Sequence, residues 1–309
     1  MKRRTFLLNG GLAAAGALAL PLPALAQAIP ARKLARIALS SSTYRMNYDG
    51  RFSVDGAMPR LSHTNLAAFA KKEFGITRIE LWDAQFGPAG TTVERCREIK
   101  AATDAAGCSI VSVEVEDVPN LGQTDPAKHA EAIAALKAWL DKGKILGAGS
   151  IRINVSRGTD PVNVDAAIDS LKQGAKYGRS IGVRVLVENH GGYTTSIPDM
   201  IALVKAVNDD FCRIEPDWGA WTPAMVGAPD RYEAMQAAMP LTHIVSAKGT
   251  VFDDTTYEHT AFDIAKLVKN AEAGGFKGVY SIELYNTPAP KDTTRAVHAF
   301  IKVITDNMR

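Results

Sequence analysis

From Leu34 onward the chain alternates between two textures. Short, nearly continuous apolar runs occur at Leu34–Leu39, Thr77–Trp82, Ser109–Val115, Ser150–Val155, Val183–Val187, Phe211–Ile214, Leu241–Val245 and Gly278–Leu284. Runs of this length, rich in Val and Ile, predict strands buried on both faces. Longer segments with helical spacing lie between them: Ile133, Leu136 and Leu140 share one helical face, as do Val297, Phe300, Ile301 and Ile304. Ser62, Asp125-Pro126 and Pro161 mark helix starts, and Gly75, Gly107, Gly147, Gly182 and Gly274-Gly275 mark helix ends. Eight strands, each followed by a helical segment at the spacing of a βα repeat, predict an α/β protein with a single (β/α)8 TIM barrel. An open doubly wound sheet is disfavoured. Ser40-Ser41-Ser42-Thr43 follows the first strand, where a dinucleotide-binding fold would carry its glycine-rich turn.

The first residues belong to a different kind of segment. A basic head, Lys2-Arg3-Arg4-Thr5-Phe6-Leu7-Leu8, precedes a weakly apolar run from Gly10 to Leu22 that ends in Ala24-Leu25-Ala26. The small-x-small ending before Gln27 is what signal peptidase reads, and the run is too short to span a bilayer. Paired arginines followed by Thr-Phe-Leu resemble a twin-arginine export signal. The expected organisation is a signal peptide at 1–26 and a barrel at 27–309, with the mature protein in the periplasm and not inserted in the membrane.

Charge narrows the partners. The net charge of +3 is carried wholly by Lys2, Arg3 and Arg4, because residues 1–26 contain no acid, so the rest of the chain is neutral. That removes the electrostatic case for nucleic acid or an anionic membrane. Cys96, Cys108 and Cys212 are too few and too scattered for a disulfide framework or a zinc knuckle.

A (β/α)8 barrel carries its chemistry at the C-terminal ends of its strands. There the sequence has Glu80-Leu81-Trp82-Asp83, Glu114-Val115-Glu116-Asp117, Asn154 with Arg157, Glu188-Asn189-His190-Gly191-Gly192, Pro216-Asp217-Trp218-Gly219, Ser246-Ala247-Lys248 and Ser281-Ile282-Glu283-Leu284-Tyr285. Carboxylates that directly follow apolar strands are costly unless paired, hydrogen-bonded or bound to a cation. Glu188, Asp217 and Glu283 could share one divalent ion, and hard oxygen donors suit magnesium or manganese. Taken singly, each acid is equally well read as a surface acid at a loop start or a helix N-cap. Glu80 and Trp82 alternate with Leu81, so both can face the barrel mouth, where Trp82 either stacks on a sugar or caps the core. Trp218 and Trp221 either wall the pocket or pack beneath the next helix. Asn154 is a candidate for binding hydroxyls, Arg157 reads as a solvated loop residue, and Asp253-Asp254 reads as a solvated turn.

In order and spacing, the segments Val183–Glu188 with Asn189-His190-Gly191-Gly192, Pro216–Gly219, Ser246–Lys248 and Ile282-Glu283 resemble the xylose-isomerase-like TIM-barrel superfamily of sugar isomerases and epimerases. The resemblance implies that Glu188, Asp217 and Glu283 are metal ligands and that Glu188 and Glu283 form an acid/base pair. It also implies that His190 and Lys248 contact substrate oxygens, and that the barrels can associate as homo-oligomers. Two positions depart from the pattern. Ser246 stands where the family usually has a histidine ligand, and Ala220 replaces a histidine often found three residues after the strand-six aspartate. His243 lies on the opposite strand face from Ser246 and Lys248. The site is then three carboxylates plus water, a set completed by another residue such as His190, or a degraded centre.

The expected activity is metal-dependent isomerisation or epimerisation of a small-molecule carbohydrate, a free or glycosylated keto-sugar. Glu188 and Glu283 would move the proton, and Lys248 would face the developing oxyanion. Two alternatives stay open: a keto-glycoside lyase or hydratase using the same enediolate, and a non-catalytic sugar-binding barrel. The endonuclease branch of the fold is disfavoured by six histidines and a neutral mature chain.

Overall fold

The protein is described by a computed structural model covering residues 29–48, 60–86, 90–219, 230–285 and 290–309. The proposed signal at 1–26, Ala220 and Trp221 lie outside these residues. A helical turn, Ala31–Leu34, precedes β1 (Ile37–Ser40). There follow α1 (Leu66–Phe74), β2 (Arg78–Trp82), α2 (Val93–Ala105), β3 (Ser109–Val115), α3 (Pro126–Leu146), β4 (Ser150–Ile153) and α4 (Val164–Ile181). The second half runs β5 (Arg184–Glu188), α5 (Ile197–Val207), β6 (Cys212–Glu215), α6 (Arg231–Ala238), β7 (Ile244–Gly249), α7 (Ile264–Ala273), β8 (Val279–Leu284) and α8 (Pro290–Asn307).

The eight strands are parallel in the order β6-β5-β4-β3-β2-β1-β8-β7. Between β6 and β7 the sheet closes through isolated parallel bridges, Ile214 with Thr242 and Asp217 with Ser246. Backbone bonds support that seam, from His243 N–H to Ile214 O (2.9 Å) and from Ser246 N–H to Pro216 O (3.1 Å). The chain is therefore a single (β/α)8 barrel, as its apolar runs predict.

Alternation decides which side chains enter the lumen. The outward set, including Ile79, Leu81, Val113, Ile151, Ile153, Val185, Val187, Val245, Ala247 and Ile282, forms one large core against the helices. The floor of the lumen is a small apolar plug of Ala38, Leu186, Ile244 and Val279. Above it the lumen is polar: the strands are buried on both faces, as the runs predict, but only the outward face is apolar throughout. Ser40, Glu80, Ser112, Glu114, Ser150, Arg152, Glu188, Glu215, Asp217, Ser246, Lys248, Ser281 and Glu283 are all buried.

This polar inner face also explains where strand limits differ from the apolar runs. Strand β7 begins at Ile244 and extends through Ser246 and Lys248, because its inward residues above Ile244 are polar and its outward ones apolar. The run Leu241–Val245 instead overlaps a 3-10 turn at Met239–Leu241. Likewise Ala31–Leu34 is helical, so β1 starts at Ile37 and not at Leu34.

The cap residues at Asp125-Pro126 and Gly147 bound α3: the Asp125 carboxylate accepts from the N–H groups of Ala127 (2.9 Å) and Lys128 (3.0 Å). Helix α4 opens at Asn163, which caps Ala166 N–H at 2.9 Å, and not at Pro161, whose carbonyl instead accepts from Asn120. Ser62 opens a turn before Asn65 and Leu66; its own side chain is not the cap of α1. Among the described residues no helix is long and apolar enough to cross a membrane.

Candidate active site

The C-terminal end of the lumen gathers the acids from separate strands around two cations. Lys248 is 2% exposed, and its ammonium lies 2.7 Å from Asp217 Oδ2 and 3.1 Å from Glu283 Oε1. The other oxygen of Glu283 accepts from Ser246 Oγ at 2.9 Å. Arg152, also 2% exposed, reaches Glu188 Oε2 (2.7 Å), Glu114 Oε2 (3.0 Å) and Glu116 Oε1 (3.1 Å). A guanidinium suits this task because its fork of donors can serve several carboxylates at once.

Neighbouring loops hold these acids in place. Asn189 clamps the ends of β5 and β6: its amide donates to Asp217 O (3.1 Å) and its carbonyl accepts from Asp217 N–H (2.7 Å). Thr194 Oγ1 donates to Glu188 O at 2.7 Å. Thr43 Oγ1 donates to Ile282 O and accepts from Leu284 N–H, which fixes the end of β8 beside Glu283. Gly192 has φ of 62°, and a Cβ there would sit 2.3 Å from Ser156 Oγ, so the turn after His190 tolerates only glycine.

Electrostatics divides the buried acids into two groups. Burial would raise Glu188, but the Arg152 guanidinium beside it, with His190 and Lys248, brings it down to about 2. Deeper in the lumen, burial pushes Glu80, Glu114 and Glu215 above the ordinary glutamate range, and each is raised further by neighbouring acids. Burial disfavours the charged forms of Lys248 and Arg152, yet the surrounding carboxylates hold both well above their ordinary values. Both stay cationic. His190, partly exposed with Nδ1 3.6 Å from Glu188 Oε2 and 3.9 Å from Asp217 Oδ2, is raised first by the charge of Glu188.

The structure brings together Glu188, His190, Asp217, Lys248 and Glu283 at the barrel mouth. Asn154 joins them: with its amide oriented to satisfy its neighbours, it donates to Glu188 Oε2 (3.3 Å) and His190 O (3.2 Å). Glu80 lies lower in the lumen, bonded by Ser281 Oγ at 2.5 Å. Trp82, partly exposed, ends β2 on the same face as Glu80 and pairs in register with Glu114. Trp218 is fully buried against Tyr280, at 5.7 Å between ring centroids, and belongs to the core rather than to a pocket wall. His243 lies just before β7, where burial and then Arg184 and Arg213 lower it to about 4; it has no part in the mouth.

Arg152 and Glu215 are the components missing from the sequence reading. The signal for Arg152 was present: Ser150, Arg152 and Asn154 are polar at every second position, against Ile151, Ile153 and Val155.

Among the described residues one group offers donor atoms close enough for a metal ion: Glu188, His190 and Asp217, within 4.8 Å of one another. The set expected from the sequence was Glu188, Asp217 and Glu283. Glu188 and Asp217 of that set belong to this group and Glu283 does not, and the oxygens of all three also meet resident donors: Arg152 on Glu188, Lys248 on Asp217, and Lys248 with Ser246 on Glu283. Among the carboxylate oxygens of Glu188, Asp217 and Glu283, only Glu188 Oε1 is buried without a partner.

The sequence matches the Xylose isomerase-like TIM barrel family over residues 68–304, and the chain belongs to that family. Among solved structures, an L-ribulose 3-epimerase aligns with TM-score 0.68 at 15% identity, covering 88% of this chain and 95% of that one. A 3-keto-D-glucoside 4-epimerase from E. coli aligns with TM-score 0.63 at 13% identity, over 86% of this chain and 98% of its own. A xylose isomerase-like TIM barrel protein from Mycobacterium smegmatis, solved with magnesium, gives TM-score 0.64 at 17% identity, over 92% and 99%. At these identities the likeness is one of fold. No curated relative matches the sequence.

Proposed function

We propose that the chain is a sugar isomerase or epimerase that moves a proton on a carbon next to a carbonyl, acting on a free or glycosylated keto-sugar. The observation that carries this reading is the pairing of two buried glutamates on different strands with fixed cations: Arg152 at 2.7 Å from Glu188 and Lys248 at 3.1 Å from Glu283. Glu188 Oε1, buried and unpartnered, is the oxygen free to take a proton. As the C–H bond breaks, its electron pair forms the enediolate double bond and the carbonyl oxygen becomes an oxyanion. A preorganised ammonium in a dry lumen stabilises that charge far more than water would. For epimerisation Glu283 relays a proton from solvent to the opposite face; for isomerisation the captured proton goes to the neighbouring carbon.

Family membership and the two epimerases of the same fold support the reaction class and a carbohydrate ligand. The twin-arginine-like head and Ala24-Leu25-Ala26 support export to the periplasm. In that compartment a free or glycosidic sugar is a more accessible substrate than a sugar phosphate. N-terminal sequencing of periplasmic protein should begin at Gln27.

A second reading, keto-glycoside lyase or hydratase, is favoured by His190. This side chain is partly exposed beside Glu188 and its affinity for a proton is raised, so it is suited to protonating a departing sugar oxygen. Incubation with free ketoses and 3-keto-glycosides, followed by NMR, separates the readings. Epimers or isomers support the first and aglycone release supports the second. Binding with no turnover of either class would leave only a sugar-binding barrel.

A further inference from the structure

The side chain at the centre of the acids is itself a cation, and the barrel is built to hold it there. Lys248 projects from β7 into the lumen, and its ammonium joins Asp217 of the β6 end to Glu283 of β8. The ring of Tyr285 lies 5.2 Å from the ammonium and adds a cation–π contact. Gly219 makes room for the lysine stem: a Cβ there would stand 2.5 Å from Lys248 Cγ and 2.6 Å from Cδ. Its backbone does not lie in the left-handed region, so the need for glycine at this position is one of space. Ser246 completes the arrangement by bonding the second oxygen of Glu283 where a metal-binding strand would offer an imidazole. A divalent ion shared by Glu188, His190 and Asp217 would have to share the Asp217 carboxylate with the ammonium, which lies 2.7 Å from Oδ2.

We infer that Lys248 is the resident cation of this site, standing in place of a divalent metal, so that the chain works as a metal-independent member of its fold. The ammonium neutralises Asp217 and Glu283 permanently and presents a fixed positive charge to a substrate oxygen. What it serves rests on the reaction proposed above; its test needs no substrate.

Chelator-treated full-length protein is titrated with manganese, and free ion is followed by its electron paramagnetic resonance signal. Wild type should show no saturable binding. Lys248→Gln, which keeps a donor but removes the charge, should gain a site, with affinity rising roughly 100-fold or more, as removal of a like charge a few ångströms away gives at an effective dielectric near 20. Lys248→Arg should stay silent. If K248Q does not fold, K248Q/E283Q, which loses one charge of each sign, is read in the same way. Saturable binding of manganese by wild type would overturn the inference, and so would a folded Gln variant that binds no better. A protein that excludes manganese yet turns over no sugar would sink the proposed function alone.

Discussion

Replacing Arg152 by methionine tests whether the lumen is held together by its buried ion pairs. The guanidinium is 2% exposed and contacts three carboxylates, one of them Glu188, which is fully buried. Methionine can fill much of the stem's volume but leaves Glu188 Oε2 and Glu114 Oε2 without their cation. Removing one partner of a buried pair costs about 3–5 kcal/mol, because the charge left behind has no water to return to. Protonation of the stranded acids limits the loss. Burial raises Glu188 and Arg152 is the chief group opposing it, so without Arg152 this carboxyl takes up a proton more readily.

The sign follows from that depression. A glutamate held at about 2 contributes stability that is present above its ordinary value of 4.5 and is lost as pH falls through about 2. The R152M penalty should therefore be largest at neutral pH and shrink on acidification below the ordinary value. For a chain of this size a loss of about 3–4 kcal/mol lowers Tm by roughly 6–16 °C. Denaturant unfolding of R152M, E188Q and the double variant, at neutral and mildly acidic pH, gives the coupling, expected at about 1–3 kcal/mol. An R152M protein within about 1 kcal/mol of wild type at neutral pH, or a cycle with no coupling, would refute the reasoning, since removal of a buried counter-ion cannot be that cheap.

Other substitutions probe separate parts of the account. Burial raises Asp83 to about 6 although its carboxylate accepts from the N–H groups of Glu116 and Asp117. Its contribution is present below the ordinary value of 3.8 and lost as pH rises through about 6. The stability of wild type relative to D83N should therefore fall by about 3 kcal/mol between pH below the ordinary value of 3.8 and neutral pH, read from denaturant curves. G219A drives a methyl group into the Lys248 stem; turnover should drop about 100-fold or more while stability changes by only about 1–3 kcal/mol. E188Q and E283Q should each lower kcat by about 10²–10⁴-fold, with KM changed far less, in steady-state assays on whichever keto-sugar is turned over.

Much of the fold was legible because the outward faces of the strands are apolar and the helices are punctuated by caps such as Asp125 and glycines such as Gly147. Strand limits were less legible where the inward face is polar: Ser246 and Lys248 belong to β7 but fall outside its apolar run. The acids at the mouth stood out because a carboxylate after an apolar strand needs a partner, and that reasoning reached Glu188, Asp217 and Glu283. It did not reach the partner. Arg152 hides in a four-residue strand between two isoleucines, and Lys248 was read as a contact for substrate. The meeting of Lys248 with Asp217 depends on the barrel closing between β6 and β7, a long-range event with no local mark in the chain.

The most direct measurement is solvent exchange at carbon. In D₂O, ¹H NMR of a keto-sugar incubated with the protein should show loss of the proton next to the carbonyl, with that loss abolished in E188Q. Deuterium uptake that persists unchanged in E188Q, or none at all with a keto-sugar that the protein demonstrably epimerises, would contradict proton transfer by this glutamate.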